Sequence, residues 1–198
     1  FKVTPWEVTG DIDYDELMRQ FGTTPIDDAL IARMSRYGDV HPMLRRGIFY
    51  THRDMGWLLD EYDKGNNFTL YTGRGPSGNT HLGHLMPWIF NKWMQDTFGC
   101  DMLFQMTDDE KFLFKDLTLE ETGRMAYENA LDFVALGFDP KKTKIIVDTK
   151  NVGKMYPIAL RVAKRTTFST AKAVFGFDAS TNIGSIFYTT MQSVPAFL

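Results

Sequence analysis

The stretch FTLYTGRGPSGNTHLGHLMPWIFNKWMQDTFGCDMLFQMTDDEK, residues 68–111, decides the fold. Its first five residues form a short β-branched and aromatic run, which predicts a strand. A long apolar helix is predicted from about Leu82 to Phe98, ended by Gly99, and a second strand is predicted over 101–107. A strand, a helix and a strand in this order predict parallel pairing through a right-handed crossover.

The alternation of helices and strands continues downstream. Thr118 and Glu121 form a capping-box pair that predicts the start of a helix, Gly137 predicts its end, and 144–148 predicts a third strand. The predicted buried face of this helix consists of Leu119, Met125, Ala126, Ala130, Phe133 and Val134. Residues 156–197 predict further helices, with breaks at 166–167 and around 178–182. The predicted fold class is therefore α/β with a parallel sheet.

The residues upstream of the first strand predict a mainly α-helical section. The opening, 1–8, alternates apolar and polar residues around a Thr-Pro break and suits a short hairpin or edge strand. Helices are predicted after Asp13, from Thr24-Pro25, and after Pro42 and Thr51, the last ending near Gly65. We predict two domains, an N-terminal hairpin and helical section over 1–66 and a second domain over 67–198.

Composition limits the function classes. The formal net charge of −3 and the pI of about 5.8 give no bulk attraction to polyanions, so nucleic-acid binding would need a local basic patch. Cys100 is the only cysteine, which excludes an internal disulfide and favours a reducing compartment such as the cytoplasm. No apolar run reaches the roughly 20 residues of a membrane span. Because the sequence begins at Phe1 and ends at Leu198, we expect an excerpt of a longer protein.

Unusual polar residues follow each predicted strand. In open parallel sheets ligands bind outside the carboxyl ends of the strands, where the next helices direct their N-terminal amides. The segments that follow the three strands carry Thr72-Gly73-Arg74-Gly75, Thr107-Asp108-Asp109-Glu110-Lys111 and Asp148-Thr149. Gly73 and Gly75 would let a ligand approach the backbone, and Arg74 offers a planar cation with five donors. The sequence therefore predicts a ligand site at this edge of the sheet.

Two histidines lie at the start of the predicted helix. His81 and His84 would share a face of its first turn, and Gly83 between them would leave a space. A flat ring and a phosphate chain could lie over that space, with the imidazoles donating to phosphoryl oxygens. The loop matches neither GxGxxG nor the Walker lysine pattern. Three alternatives stay open: a metal site, which lacks a third ligand in the same turn, histidines that only cap the helix, and a TDDEK segment that is only an acidic helix start.

At these residues the sequence resembles the class I aminoacyl-tRNA synthetases, whose HxGH motif follows the first strand of a Rossmann-like sheet. It is similar in particular to the eukaryotic and archaeal type of tryptophanyl-tRNA synthetase. Similar stretches cover nearly the whole chain: VTPWEV, DYDELMRQFG, LRRGIFYTHRD, LYTGRGPS, HLGHLMPWIF, QMTDDEKFLFKDLT, TFSTAKAVFGF and MQSVPAF. HxGH alone also occurs in small adenylyltransferases, but its combination with GRGPS and QMTDDEK is specific.

The resemblance implies a two-step reaction with ATP and Mg2+. The carboxylate of L-tryptophan attacks the α-phosphate of ATP, and the acyl group of the resulting adenylate passes to tRNA(Trp). His81, His84, Lys111 and Arg74 are the implied catalytic residues, and the implied ATP site is Arg74, Gly75, Pro76, His81, Gly83 and His84. No metal ligand is assigned to the protein. The family is homodimeric, and no membrane partner is expected.

The implied tryptophan site suits the chemistry of an indole. Indole has one N–H donor and no acceptor, so its pocket needs an acceptor at the far end of an aromatic slot. Tyr71 and Gln105 match the family positions that play this part, and Glu110 with Gln192 match those that receive the α-ammonium group. The implied tryptophan-binding set is Tyr71, Gly73, Gln105, Glu110 and Gln192. From the residues alone, Gln192 could equally be a polar helix residue.

Three other hypotheses compete with the resemblance to a tryptophanyl-tRNA synthetase. They are a tyrosyl-tRNA synthetase, a small adenylyltransferase and a non-catalytic binding module built on a synthetase-like fragment. The KMS-type loop and the anticodon-binding domain of the family would lie beyond Leu198, so we expect the second domain to be the front part of a catalytic domain that does not complete adenylation alone. Basic residues cluster between Lys141 and Lys172 and could contact tRNA, although a solvated helical face is the favoured interpretation.

Overall fold

The computed structural model describes residues 2–3, 8–11 and 13–198. These fall into two compact units, Phe1–Phe68 with Trp93–Cys100, and Thr69–Lys92 with Asp101–Leu198. Each unit is described by itself below. The division into domains over 1–66 and 67–198 stays a prediction.

The first unit contains short strands and short helices. Its elements are β1 (Lys2–Val3), β2 (Val8–Thr9), α1 (Tyr14–Phe21), β3 (Thr24–Pro25), α2 (Asp28–Met34), α3 (Pro42–Arg45), β4 (Thr51–His52) and α4 (Met55–Asp63). Strands β1 and β2 pair antiparallel, as the predicted hairpin requires, while residues 4–7 between them lie outside the described residues. Helix α1 has the predicted caps, since the Asp13 side chain accepts from the Glu16 amide and Gly22 is left-handed.

The prediction of a helix from Thr24-Pro25 is wrong. These two residues form β3, which pairs antiparallel with β4. Helix α2 begins three residues later, where the Asp27 side chain accepts a hydrogen bond of 2.8 Å from the Leu30 amide. A proline suits the first helical turn, but here the aspartate is the better cap because its carboxylate satisfies a free amide there.

The second unit is built on the predicted three-stranded sheet. Strands β5 (Thr69–Arg74), β6 (Asp101–Met106) and β7 (Thr143–Val147) lie in the order β5-β6-β7, and both pairings are parallel. The register places Gly73 opposite Gln105 and Gln105 opposite Ile146. The α/β fold with a parallel sheet is thus confirmed.

Helices follow every strand of this sheet. They are α5 (Leu82–Phe98), α6 (Asp108–Phe114), α7 (Leu119–Val134), α8 (Asp148–Ala163), α9 (Phe168–Phe175), α10 (Ile183–Met191) and a 3₁₀ turn over Val194–Phe197. The predicted capping box at Thr118 and Glu121 is present. Helix α8 begins at Asp148, well before the predicted start at 156. In the described part of the chain no helix is both long enough and apolar enough to span a bilayer.

The predicted buried face of α7 is partly wrong. The buried residues are Thr122, Ala126, Asn129 and Phe133, whereas Leu119 and Val134 are exposed. The buried positions are spaced by four, three and four residues, which is the stripe of a single helix face. The prediction followed apolar side chains and so missed two polar residues that belong to this stripe.

Apolar side chains cover both faces of the sheet. On one face Phe104 stacks on Phe133 with ring centroids 3.7 Å apart, and Trp88 meets both rings edge-on. On the other face Leu103 and Ile146 pack with α8 and α10. Alternate residues of a strand point to opposite faces, so β6 supplies both cores. Its buried residues connect the two layers of helices.

Gly73 is a position where the sheet tolerates no side chain. A Cβ atom added there would lie 2.7 Å from the carbonyl oxygen of Gln105, a backbone atom that cannot move alone. We therefore expect Gly73→Ala to lower the free energy of unfolding by about 1–3 kcal/mol, measured by urea denaturation. Gly123→Ala is the matched control, since nothing lies near its Cβ within α7, and it should raise the stability by about 0.5–1 kcal/mol. Equal effects of the two substitutions would contradict the proposed close approach.

Candidate active site at the carboxyl edge of the sheet

Tyr71 and Gln105 lie side by side on neighbouring strands, as predicted. The Tyr71 hydroxyl donates to Gln105 Oε1 at 2.5 Å. Gln105 is fully buried, and its Nε2 lies 2.9 Å from Oδ1 and 2.8 Å from Oδ2 of Asp148. Tyr71 is half exposed, with 51% of its surface accessible. The phenol is therefore the solvent-facing end of a hydrogen-bonded chain that runs into the core.

Gly75 lies beneath the side chain of Lys111. A Cβ atom at Gly75 would lie 2.8 Å from Lys111 Nζ and even closer to the methylene carbon beside it. Pro76 next to it is buried. The missing side chain thus lets the lysine cross the loop that leaves β5. The close approach of a ligand to this glycine stays a prediction.

Glu110 holds two partners at the start of α6. Its Oε1 accepts from Lys111 Nζ at 2.9 Å, and its Oε2 accepts from Thr107 Oγ1 at 2.6 Å. The side chains of Glu110 and Lys111 are only 14% and 20% exposed. In partly buried surroundings such a pair is screened less by salt than a surface ion pair. The two charged residues predicted from QMTDDEK are thus in direct contact.

Arg74 is held by neutral groups. Its Nε donates to Asn129 Oδ1 at 3.0 Å, and one terminal nitrogen lies 3.4 Å from the carbonyl oxygens of Gly78 and Asn79. The other lies 2.5 Å from His84 Nε2. Among the described residues no carboxylate forms an ion pair with Arg74, and burial lowers its pKa. A fixed guanidinium without a paired anion is suited to bind one.

His81 and His84 come together in a way that the spacing does not predict. His81 precedes the first residue of α5, and its ring lies 3.7 Å from the ring of His84. The space predicted at Gly83 is filled, because a Cβ atom there would meet His81 Cε1 at 3.1 Å. In this structure the His84 ring also faces Arg74 rather than open solvent. Spacing fixes the shared turn but not the side-chain rotamers.

His84 is neutral at ordinary pH. Burial lowers its pKa first, and the neighbouring charges of Arg74 and His81 lower it further. Arg74 lies 2.5 Å from its Nε2, and the His81 amide N–H donates to its Nδ1 at 3.2 Å. A neutral imidazole has one acceptor nitrogen, so it can accept only one of these two hydrogen bonds at a time. Both ring nitrogens therefore already face donors of the protein.

A pair of buried carboxyl groups lies behind Gln105. Burial raises the pKa of Asp109 to about 6, and burial together with the Asp109 charge raises the pKa of Asp148 to about 9. The raised pKa favours the protonated form of Asp148, which can donate to Asp109. Nearby, Asp108 accepts from the amide and hydroxyl of Thr149 at 3.1 and 2.5 Å.

Three residues of this region were missed as site residues by sequence reasoning. Asn129 orients Arg74, Tyr188 is buried and hydrogen-bonded to Thr107, and Asp148 orients Gln105. Burial and the charges of Glu110, Asp109 and Asp148 raise the pKa of Tyr188 well above its usual range. Asp148 had a signal, since a carboxylate directly follows a buried strand. Asn129 and Tyr188 reach the site from distant helices that carry no such signal.

The hydrogen bonds of the described residues do not connect the remaining predicted residues to the Tyr71–Gln105 pair. Gln192 is exposed at the end of α10, and its backbone amide donates to Tyr188 O at 2.9 Å. In the described part of the chain its side chain makes no hydrogen bond to Glu110 or Gln105. No group of three His, Cys, Asp or Glu side chains that could hold a metal occurs among the described residues. The nine basic residues between Lys141 and Lys172 are all exposed.

Known proteins with similar sequences and folds identify the family of this chain. Residues 63–196 match the family of tRNA synthetases class I (W and Y), and the chain belongs to that family. The predicted resemblance to tryptophanyl-tRNA synthetases is confirmed by relatives and solved structures. The chain is 55% identical over 201 residues to the tryptophan–tRNA ligase of Pyrobaculum arsenaticum, covering 100% of this chain and 54% of the relative.

Solved structures are similar along most of the chain. The tryptophanyl-tRNA synthetase from Trypanosoma brucei is 43% identical with a TM-score of 0.88, covering 92% of this chain and 57% of that one. A tryptophanyl-tRNA synthetase from Encephalitozoon cuniculi bound to tryptophan is 40% identical with a TM-score of 0.88, covering 93% and 56%. The Rossmann-like fold is therefore that of class I synthetases. The chain spans about half the length of the curated relatives it matches.

Proposed function

We propose that the protein carrying this chain is an ATP-dependent tryptophan–tRNA ligase. It would join L-tryptophan to the α-phosphate of ATP, release pyrophosphate, and pass the tryptophanyl group to tRNA(Trp). The observation that carries this proposal is the Tyr71–Gln105 pair, a fixed hydrogen-bond acceptor on the strand that also carries the Arg74 cation. The family and the tryptophan-specific relatives support the same reaction.

The hydrogen bonds of Tyr71 suit an indole. Its own proton is donated to Gln105, so the phenol oxygen keeps a lone pair that can accept a further hydrogen bond. The single N–H of an indole would donate to that oxygen. A tyrosine side chain carries a hydroxyl that can also donate there, so the rest of the slot would have to reject it by size and by unpaired polar groups, each costing about 1–3 kcal/mol.

The phosphates of ATP would lie near the loop that leaves β5. Arg74 offers an unpaired guanidinium, and Gly75 allows the Lys111 ammonium to lie close to the backbone. His81, His84, Gly83 and Pro76 complete the proposed ATP site. These donors stabilise charge on the phosphoryl group without forming a covalent bond to it. Gly73 and Glu110 with Gln192 complete the proposed amino-acid site, in which Glu110 would receive the α-ammonium group.

Magnesium would arrive with the nucleotide. The groups proposed to face the phosphates are cations and N–H donors, which suit phosphate oxygens and not a metal ion. We therefore assign Mg2+ to the phosphates of ATP and no ligand to the protein. A homodimer in the cytoplasm without a membrane partner is proposed from the family resemblance alone.

The proposed function predicts tryptophan-dependent exchange of pyrophosphate into ATP. The full-length polypeptide should exchange with L-tryptophan and not with L-tyrosine, because only the indole presents a pure donor to Tyr71. Residues 1–198 alone should exchange at least about a hundredfold more slowly, since reactant positioning would be incomplete. Stimulation by tyrosine would reverse the substrate assignment. Binding of neither ATP nor tryptophan in calorimetry would favour the non-catalytic binding module.

A further inference from the structure

We infer that Asp148 is a positioning residue that sets the amino-acid specificity by fixing which end of the Gln105 amide faces the substrate site. The inference rests on the proposed function. Asp148 is 1% exposed, and its hydrogen bonds to Gln105 are the contacts that link it to Tyr71. It would act only through Gln105, at a distance of one side chain from the substrate.

The contacts define the direction of every hydrogen bond in the chain. Gln105 Nε2 lies within 2.9 Å of both oxygens of Asp148, so the NH₂ group points at the acid and Oε1 points at Tyr71. Oε1 can only accept, so the Tyr71 hydroxyl must donate to it. The phenol oxygen then faces the ligand as an acceptor. Asp148 therefore determines, through Gln105, that Tyr71 presents an acceptor to the ligand.

The reversed amide would destroy this polarity. With NH₂ toward Tyr71, the phenol would have to accept from Gln105, and its own proton would point into the site. An indole N–H would then meet another donor. An unsatisfied donor on a buried amide costs free energy, and Gln105 is fully buried. The orientation of its amide therefore depends on an acceptor at position 148.

Asp109 is the charged neighbour of the acid. Burial and the Asp109 charge raise the pKa of Asp148, which favours its protonated form. A protonated Asp148 can donate to Asp109 and still keeps an oxygen that accepts from Gln105. An asparagine at 148 would reproduce both contacts, because Nδ2 could donate to Asp109 and Oδ1 could accept from Gln105. In the opposite orientation, Nδ2 of the asparagine would face the Gln105 NH₂ group, and Oδ1 would face the Asp109 carboxylate.

These relations define three classes of variant. Asp148→Asn keeps the acceptor and the donor. Asp148→Ala and Asp148→Leu remove the acceptor, and the leucine fills most of the space that alanine leaves. Tyr71→Phe removes the final acceptor and gives the reference for complete loss of recognition. Circular dichroism and thermal unfolding select the variants that remain folded.

The test compares two ligands in the full-length polypeptide by isothermal titration calorimetry. They are L-tryptophan and β-(3-benzothienyl)-L-alanine, in which sulfur replaces the indole N–H. The native protein should prefer tryptophan by roughly tenfold, the value of one net hydrogen bond. Asp148→Asn should keep this ratio. Asp148→Ala or Asp148→Leu should reduce it to about twofold or less, as Tyr71→Phe does, while the affinity for ATP stays within about twofold.

The outcomes distinguish a failure of the role inferred for Asp148 from a failure of the proposed function. A variant that loses affinity for both amino acids equally, with the tenfold ratio intact, would assign Asp148 a merely structural role and overturn the inference. Loss of the ratio in Asp148→Asn would also overturn it, since that variant keeps the acceptor. If the native protein binds neither amino acid, the proposed function falls and the inference falls with it. A native protein that binds both equally overturns the inference while leaving the ligase function in place.

Discussion

Replacing Arg74 with methionine is expected to lower kcat/KM for ATP in pyrophosphate exchange by about 10²–10³-fold, the cost of removing one preorganised charge donor. Arg74 is anchored by Asn129 and by loop carbonyl oxygens, and it has no carboxylate partner among the described residues. Its charge is thus free to interact with a phosphate. The affinity for L-tryptophan should change less than about twofold, because Arg74 lies outside the Tyr71–Gln105 chain.

Two further substitutions control for this result. Arg74→Lys keeps the charge but cannot reach Asn129 and His84 with one planar group, so an intermediate loss is expected. Arg124→Met removes an exposed arginine from α7 and should leave exchange unchanged. An equal loss of ATP and tryptophan binding in Arg74→Met would instead indicate a general disruption of the sheet edge.

The second large effect concerns stability against pH. In the folded protein the pKa of Asp109 is raised to about 6 and that of Asp148 to about 9, both from 3.8. A carboxyl group with a raised folded pKa stabilises the fold fully only below its unfolded pKa, and this contribution is lost as pH rises through the folded pKa. The free energy of unfolding should therefore fall as the pH rises from about 4 to about 9, by several kcal/mol for the pair.

The Asp148→Asn variant isolates this contribution. It resembles the protonated acid, so it should match the native protein only below about pH 4 and exceed its stability by a growing margin toward pH 9. Urea denaturation at constant ionic strength and three pH values would measure the difference in free energy of unfolding between the two proteins. The contributions of other titrating groups cancel in this difference. Parallel stability curves for the two proteins would show that the pair does not carry the dependence.

The sheet and its ligand edge could be predicted because local signals fixed them. Short β-branched runs alternate with long amphipathic segments, and a parallel arrangement brings the carboxyl ends of the strands together. The contact of Tyr71 with Gln105 follows from this arrangement once the strands are neighbours. The capping box of Thr118 and Glu121 located the start of α7 for the same reason, since it satisfies free amides within a single turn.

The parts that could not be predicted depend on distant packing. Asn129 is polar, yet it lies on the buried stripe of α7 because Arg74 and Gly78 offer it partners there. The space expected beside Gly83 is taken by the His81 ring, a rotamer choice that residue spacing does not determine. Thr24 pairs with His52 and Pro25 pairs with Thr51, in a strand that lies more than two dozen residues further along the chain. Each outcome is set by tertiary contacts.

The full burial of Gln105 has a consequence for how this site can change. The residue lies on the face of β6 that it shares with Leu103, which packs with α8 and α10. Any substitution there alters the interior as well as the group that orients Tyr71. A new amino-acid preference would thus require a coordinated repacking of neighbouring side chains, so single mutations at this position should yield unstable proteins before they yield altered ones.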